Sequence, residues 1–248
     1  MIARKVRRIR AAGRNKLMIY GIDVSRHNGK IHWEKVRKSG KSFAFIRAGW
    51  SGYDGEIHLD ERFNENMAGA SAAGLKIGIY IYAYNKNPTS SKKTAEEILK
   101  IIKENNYKID FPIAFDVEQV EDKCLLAQGK SALSDTCISF FEAIKQGGFV
   151  PILYSYTSFL KCYLDMSKLS TYDCWVADYR EPSGVKCPYD GSYTIWQYRG
   201  ENGRCDGVNG GCDLNICYKD YGKKSEEVDY KKLYFEMRSG IENILTEL

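Results

Sequence analysis

Phe111-Pro112-Ile113-Ala114-Phe115-Asp116-Val117-Glu118 reads as a buried strand that ends in two carboxylates. Ile113, Phe115 and Val117 alternate with Ala114, Asp116 and Glu118. Successive side chains point to opposite faces of a strand, so both acids are expected to leave the same face as next-but-one neighbours. Asp and Glu are poor strand formers, and burying them beside Phe and Ile is costly unless they are paired or used. Two carboxyls at short range do not both ionise freely. One is expected to hold a proton near neutral pH, as an acid catalyst must. The plainer reading is a strand running into an acidic loop, because Glu121 and Asp122 follow closely and Asp-x-Glu alone is a weak string.

Strand-like and helix-like segments alternate on either side of this stretch. Residues 18–24, 43–48 and 76–84 read as strands before it, and residues 150–154 as the next strand after it. A short helix is expected around Trp33, Val36 and Arg37, stopped by Gly40. A second covers residues 59–73, with Phe63, Met67 and Ala70 on one face and Gly74 at the C-terminal cap. Ala95, Ile98, Leu99 and Ile102 mark a third, starting near Thr89, Ser90 and Ser91. Cys137, Phe141 and Ile144 mark a fourth over residues 134–145. The rhythm then changes, and residues 174–179, 193–198 and 213–216 read as short strands without long helices between them. Five βα units predict a parallel sheet, and the last three strands close it. The expected fold is α/β, a modified TIM-like barrel of eight strands with about five helices. Barrels carry their chemistry at the C-terminal ends of the strands, where Asp23, Arg47, Tyr82, Tyr84, Glu118, Tyr154, Asp178 and Gln197 fall.

A chain of 248 residues is long enough for one such barrel, and no apolar run approaches the ~20 residues of a membrane span. The net charge of +5 is unevenly placed. Residues 1–17 carry Arg4, Lys5, Arg7, Arg8, Arg10, Arg14 and Lys16 and no acid, leaving 30 bases against 32 acids in the remainder. The body is therefore not a nucleic-acid binder. The leader reads as a solvated basic arm, with contact to an anionic polymer or membrane as the alternative. It lacks the ~7–15-residue apolar core of a secretory signal. Residues 18–222 are expected to be the barrel and residues 223–248 an amphipathic helix. Tyr234, Met237, Ile241, Ile244, Leu245 and Leu248 form its apolar stripe. That stripe is expected to pack on the barrel, or to mediate self-association through residues 225–248. Eight cysteines lie between Cys124 and Cys217, and Cys205, Cys212 and Cys217 do not follow a zinc spacing. Pairing depends on an oxidising compartment, and the connectivity is open.

Four acids stand out as candidates for chemistry: Asp23, Asp116, Glu118 and Asp213. Around them in sequence lie Tyr80, Tyr82, Tyr84, Tyr154, Tyr156, Trp175, Tyr179, Trp196 and Tyr198. Aromatic faces stack on sugar rings and carboxylates accept hydroxyl and amide hydrogen bonds, which together suggest a glycan cleft. Against this, Tyr and Trp are simply good strand formers. His27, His32 and His58 are the only histidines, and His27 reads as a solvated side chain near the cleft rim. The absence of His-Glu-x-x-His and Gly-x-Ser-x-Gly argues against zinc amidases and serine esterases. No metal or organic cofactor is expected.

Asp23-Val-Ser, Phe45-Ile-Arg47-Ala-Gly-Trp50, Gly78-Ile-Tyr-Ile-Tyr82-Ala, Phe115-Asp116-Val-Glu118, Trp175-Val-Ala-Asp-Tyr179, Trp196-Gln197-Tyr198 and Asp213-Leu-Asn215 occur in one order along the chain. In order and rough spacing they resemble glycoside hydrolase family 25, the Chalaropsis-type lysozymes. The resemblance implies an N-acetylmuramidase that cleaves the β-1,4 bond between N-acetylmuramic acid and N-acetylglucosamine in peptidoglycan. By that resemblance Glu118 is the general acid and Asp116 steers the substrate's acetamido group or attacks directly, while Asp23 and Asp213 are the outer acids. Arg47, Tyr80, Tyr82, Tyr84, Tyr154, Trp175, Tyr179, Trp196, Gln197 and Asn215 are expected to bind substrate. The implied setting is the cell wall or extracellular space. A catalytically inactive glycan-binding barrel is the alternative. A chitinase-type site fails because Ile113, Ala114 and Phe115 stand where further acids belong.

Overall fold

The computed structural model describes residues 18–221. The basic arm and the amphipathic C-terminal stripe lie outside the described residues. The strands are β1 (Ile19–Val24), β2 (Phe43–Ser51), β3 (Ile57–Leu59), β4 (Lys76–Ala83), β5 (Ile113–Asp116), β6 (Pro151–Tyr156), β7 (Asp173–Ala177), β8 (Ile195–Arg199) and β9 (Asp213–Cys217). Six α-helices accompany them among the described residues: α1 (Trp33–Lys38), α2 (Phe63–Ala72), α3 (Pro88–Glu104), α4 (Lys123–Ala127), α5 (Gly129–Gln146) and α6 (Thr157–Tyr163).

The barrel closes through eight strands in the order β1, β2, β4, β5, β6, β7, β8, β9, with β1 pairing β9. The pairs from β1 round to β8 are parallel, whereas β9 is antiparallel to both of its neighbours. Alternation within each strand separates two cores. Ile113, Phe115, Leu153, Val176 and Ile216 face outward to the helices, while Phe43, Phe45, Phe111, Ala114, Ile152, Trp175 and Ile195 fill the interior. The inner aromatic fill lies toward the starts of the parallel strands. Phe43 stacks on Phe111 with ring centroids 4.7 Å apart, and Phe45 on Trp175 at 4.3 Å. Gly21 and Gly78 make room for these rings, since a Cβ at either would sit 2.4 Å from a carbon of Phe43 or Phe45. Each buried Phe contributes about 1.5–3 kcal/mol of transfer free energy. The apolar half of the barrel is thus a packed plug that leaves only the other end open.

α3 starts on Asn87, whose side chain accepts from the Ser90 N–H, with Pro88 in the first turn; this is two residues before the expected start. α3 buries Ala95, Ile98 and Ile102, and the Ser91 hydroxyl donates to the Thr136 carbonyl of α5 at 2.7 Å.

Two expectations are corrected here. The helix expected from residue 59 begins at Phe63, because residues 57–59 pair with β2 as a hairpin, Trp50 opposite His58. Gly49 (φ 155°) permits that approach, because a Cβ there would lie 2.0 Å from the His58 carbonyl oxygen. The strand expected to reach Glu118 stops at Asp116. Beyond it Gln119 folds back, its side chain accepting from the Glu118 N–H at 3.0 Å and donating to the Asp116 carbonyl at 3.4 Å.

Candidate active site

The open end of the barrel holds a cavity of about 590 Å³, within the usual range for ligand sites. Asp23, Asp116, Glu118 and Asp213 all line it, together with Arg47, Tyr80, Tyr82, Tyr154 and Trp175. Asp23 and Asp116 are the inward-facing last or next-to-last residues of parallel strands. Asp213 reaches the same level from the opposite direction. It is the first residue of β9, and because β9 runs antiparallel it stands directly across from Asp23.

Asp23 is nearly fully buried and sits on an ordered polar platform. Its Oδ2 accepts from Gln197 Nε2 and from Asn215 Nδ2, both at 2.7 Å. The partners beneath decide how each amide points. Gln197 Oε1 accepts the hydroxyls of Tyr154 (2.9 Å) and Tyr179, and Asn215 Oδ1 accepts the indole N–H of Trp175 at 2.8 Å. An indole can only donate, so the Asn215 oxygen faces Trp175 and its NH₂ is left for Asp23. Burial pushes the Asp23 carboxyl up while the two amides and Asp213 pull it down, and the net direction is upward. Desolvation, the Asp23 charge and the hydrogen bond to Asp23 push Asp213 up to about 9. Asp213 therefore holds a proton at neutral pH.

Burial and the Glu118 and Asp23 charges push Asp116 well above the usual carboxylate range, against the pull of Arg47. Its Oδ1 is buried and has no hydrogen-bond partner within the protein. Glu118 stands nearer the mouth, and desolvation with the Asp23 and Glu121 charges raises it to about 7. A carboxyl raised to about 7 agrees with the expected proton near neutral pH on this pair. Both carboxyls are pushed up; Asp116 is the more buried of the two, and its Oδ1 lacks a donor.

Arg47 is held from behind. Asp60, itself buried, accepts from Arg47 Nε at 2.7 Å and lies 2.6 Å from Nη2. Asp60 also accepts the backbone N–H groups of Arg26 and Arg62. Arg47 faces the cavity on the parity of Phe43 and Phe45, and β2 shifts register just after it, between Arg47 and Gly49, a bulge at the rim. Sequence reading did not single out Asp60, though an Asp just before a helix was a visible signal. Nor did it single out Gln119, or Ser25, Asn28, Glu201 and Gly211, which complete the cavity lining with His27. These come from loops, whose placement no periodicity reports.

The remaining expected binding residues are elsewhere. Tyr84 lines an adjoining groove of about 500 Å³ with Trp50, Tyr53 and His58, which meets the first cavity at Arg47 and Tyr82. Trp50 and His58 stack there at 3.7 Å. Gln197 and Asn215 lie beneath Asp23 rather than on the wall, and Tyr179 is half-exposed above Gln197. Trp196 points outward, is fully buried, and donates its indole N–H to the Asp178 carbonyl at 2.9 Å, so it reaches no part of the cavity. Among the described residues no cluster of His, Cys, Asp and Glu could hold a metal ion, and no helix is long and apolar enough to cross a membrane.

Several known proteins resemble the chain. The autolytic lysozyme of Clostridium acetobutylicum is 31% identical over 79% of this chain and 54% of its own length. Lysozyme M1 of Streptomyces globisporus is 29% identical over 79% of this chain and 67% of its own length. The chain thus spans about half the length of the clostridial relative. Among solved structures, the modular autolysin LytC of Streptococcus pneumoniae, in complex with a synthetic peptidoglycan ligand, aligns with TM-score 0.68 and 26% identity over 81% of this chain and 47% of that one. The bacterial lysozyme of Streptomyces coelicolor shares the fold, with TM-score 0.65 and 22% identity over 82% of this chain and 93% of that one. The family model for glycosyl hydrolases family 25 matches residues 22–208, from β1 into the loop before β9 and including Asp23, Asp116 and Glu118, and the chain belongs to that family.

Proposed function

We propose that the chain is a peptidoglycan hydrolase, cleaving the β-1,4 bond between N-acetylmuramic acid and N-acetylglucosamine with retention of configuration. The observation that carries this reading is the pair Asp116 and Glu118, two differently placed carboxyls in one cavity. Glu118, near the mouth and raised to about 7, holds a proton in the range where an acid catalyst works. It protonates the departing glycosidic oxygen as the bond from C1 breaks. The carbonyl oxygen of the substrate's acetamido group closes on C1, and its N–H points at Asp116. That N–H is the donor that Asp116 Oδ1 lacks within the protein. Its arrival stabilises the charged carboxylate when positive charge develops on the ring. Glu118, now ionised, takes a proton from water, which opens the cyclic intermediate and restores the acid.

Asp23 and Asp213 hold the floor of the site, and Asp213 keeps its proton in that role. Arg47, Tyr80, Tyr82, Tyr154 and Trp175 form the wall against which a sugar ring lies, and the Trp50–Tyr84 groove takes the continuing strand. Two adjacent carboxyls act from one side of the ring. The spacing rule for flanking carboxylate pairs, ~5–5.5 Å for retention and ~6.5–9.5 Å for inversion, therefore does not govern this site. Action on the cell wall outside the membrane follows from the substrate. The deciding experiment is digestion of purified peptidoglycan with mass analysis of the fragments and proton NMR of the first-formed anomer. Muramic-acid reducing ends of β configuration support the reading. Glucosamine reducing ends, or initial α product, overturn the bond or the mechanism respectively.

A further inference from the structure

The loop between β8 and β9 walls the cavity beside Asp213, with Glu201 and Gly211 facing the opening. It is held in place by its backbone. The Gly203 N–H donates to the Gly200 carbonyl at 2.8 Å, and the Cys212 N–H to the Gly203 carbonyl at 3.1 Å. The His32 N–H donates to the Gly207 carbonyl at 2.8 Å and Asn28 Nδ2 to the Gly211 carbonyl at 3.1 Å, tying the loop to the start of α1 and to the β1 end. Inside this frame Cys205 and Cys212 are both buried in the outer core, each thiol close enough to perturb the other, with Cys205 Sγ 3.6 Å from the Asp206 carbonyl and Cys212 Sγ 3.7 Å from the Asp213 carbonyl. Cys205 Sγ also lies 3.5 Å from the Ser39 hydroxyl. Cys217 is close in sequence but belongs to the inner core, on the other face of the same sheet, where its thiol donates to the Lys219 carbonyl at 3.1 Å. The wall of the barrel separates it from the pair.

We propose that Cys205 and Cys212 form an intramolecular disulfide, a covalent clasp across the loop that presents Asp213 to Asp23. Both side chains lie in one buried cluster and the Cys212 N–H bond to the Gly203 carbonyl holds the two ends of the loop together, so side-chain rotation can bring the sulfurs to the ~2.05 Å bond length. The two sulfurs are unequal. Interaction with Cys212, helped by Ser39 and Lys41, lowers the Cys205 thiol to about 6, while Cys205 and burial push Cys212 up. Cys205 is therefore the nucleophilic thiolate at neutral pH. The oxidant is a small-molecule disulfide such as oxidised glutathione. The Cys205 thiolate attacks one of its sulfurs, forming a mixed disulfide and releasing one glutathione thiolate. Cys212 then loses its proton and attacks the Cys205 sulfur, releasing the second glutathione thiolate. Two cysteine thiols are oxidised and one disulfide is reduced to two thiols. The compartment in which a cell wall is degraded is one where such a bond persists.

The test uses the full chain, reduced, then equilibrated in a buffer of oxidised glutathione and blocked with N-ethylmaleimide. Endoproteinase Asp-N cuts before Asp206 and Asp213 and so separates Cys205, Cys212 and Cys217. The expected result is a fragment ending at Cys205 linked to the fragment 206–212, lighter by two hydrogens than the two reduced pieces. A thermal midpoint several degrees above that of the reduced chain accompanies it. Cys205→Ser abolishes the linked fragment while the circular dichroism of the chain is retained. Recovery of both cysteines blocked by maleimide, of either carrying glutathione alone, or of either joined to a third cysteine in the folded chain overturns the proposal. Because none of these readouts involves turnover, failure here is distinct from failure of the proposed reaction.

Discussion

Asp23 and Asp213 stand directly opposite across the antiparallel β1–β9 pair, where burial and the Asp23 charge push the Asp213 carboxyl up to about 9. This sets a stability dependence on pH. Asp213 is raised from 3.8 to about 9, so the folded chain keeps a proton that the unfolded chain gives up once the pH exceeds its ordinary value. The unfolded state therefore binds fewer protons in that window, and stability falls as pH rises toward about 9. Asp213→Asn removes the titration while keeping a donor toward Asp23. Thermal midpoints of the variant are expected to decline less steeply from about pH 4 to about pH 9 than those of the parent. Parallel curves would count against the proton assignment.

Glu118→Gln is expected to lower turnover by at least about 10²–10⁴, the usual contribution of a positioned proton donor. The active form carries the proton, so kcat/KM of the parent should fall as pH rises through about 7. Turbidity clearing of cell-wall suspensions across pH measures both. A variant with near-parental rates would remove Glu118 from the role of acid.

Gln197→Leu leaves Asp23 one donor short and two phenolic hydroxyls without their shared acceptor. An orphaned buried polar group costs about 1–3 kcal/mol, and urea unfolding should show a loss of at least that size. Turnover should fall with it, because the floor of the cavity loses its set geometry.

Gly78→Ala places a methyl 2.4 Å from the Phe45 ring, with the Pro112 carbonyl oxygen 2.8 Å away on the other side. Overpacking of this kind costs about 1–3 kcal/mol. The double variant Gly78→Ala with Phe45→Leu should recover part of the loss in a urea titration. No recovery would locate the strain in the backbone contact instead.

Trp50→Ala opens the adjoining groove without touching the four acids. The expected signature is a raised KM on polymeric glycan with kcat largely kept, since the contact is the same in ground and transition states. A matched fall in kcat would show that the groove takes part in distorting the sugar.

Much of this barrel was legible in the chain. Alternating apolar runs located all eight barrel strands, because side-chain periodicity is a short-range property. What the pattern missed was set by contacts distant in sequence. Residues 57–59 carry too little pattern to be told from a helix start, and only their pairing with β2 makes them a strand. Glu118 continues the alternation on paper, yet Gln119 turns the backbone out of the sheet after Asp116. Trp196 looked like a cleft residue beside Gln197, but its parity places it on the outer face.

The residues alone determined that acids and aromatics would collect at one end of an α/β barrel, because a strand's parity and the cost of burying charge are local facts. Tertiary structure decided the rest: that β9 runs backward to bring Asp213 against Asp23, which amide holds which oxygen, and which carboxyl keeps its proton. Those outcomes depend on desolvation and on register between segments some 190 residues apart in the chain, quantities that no window of sequence contains.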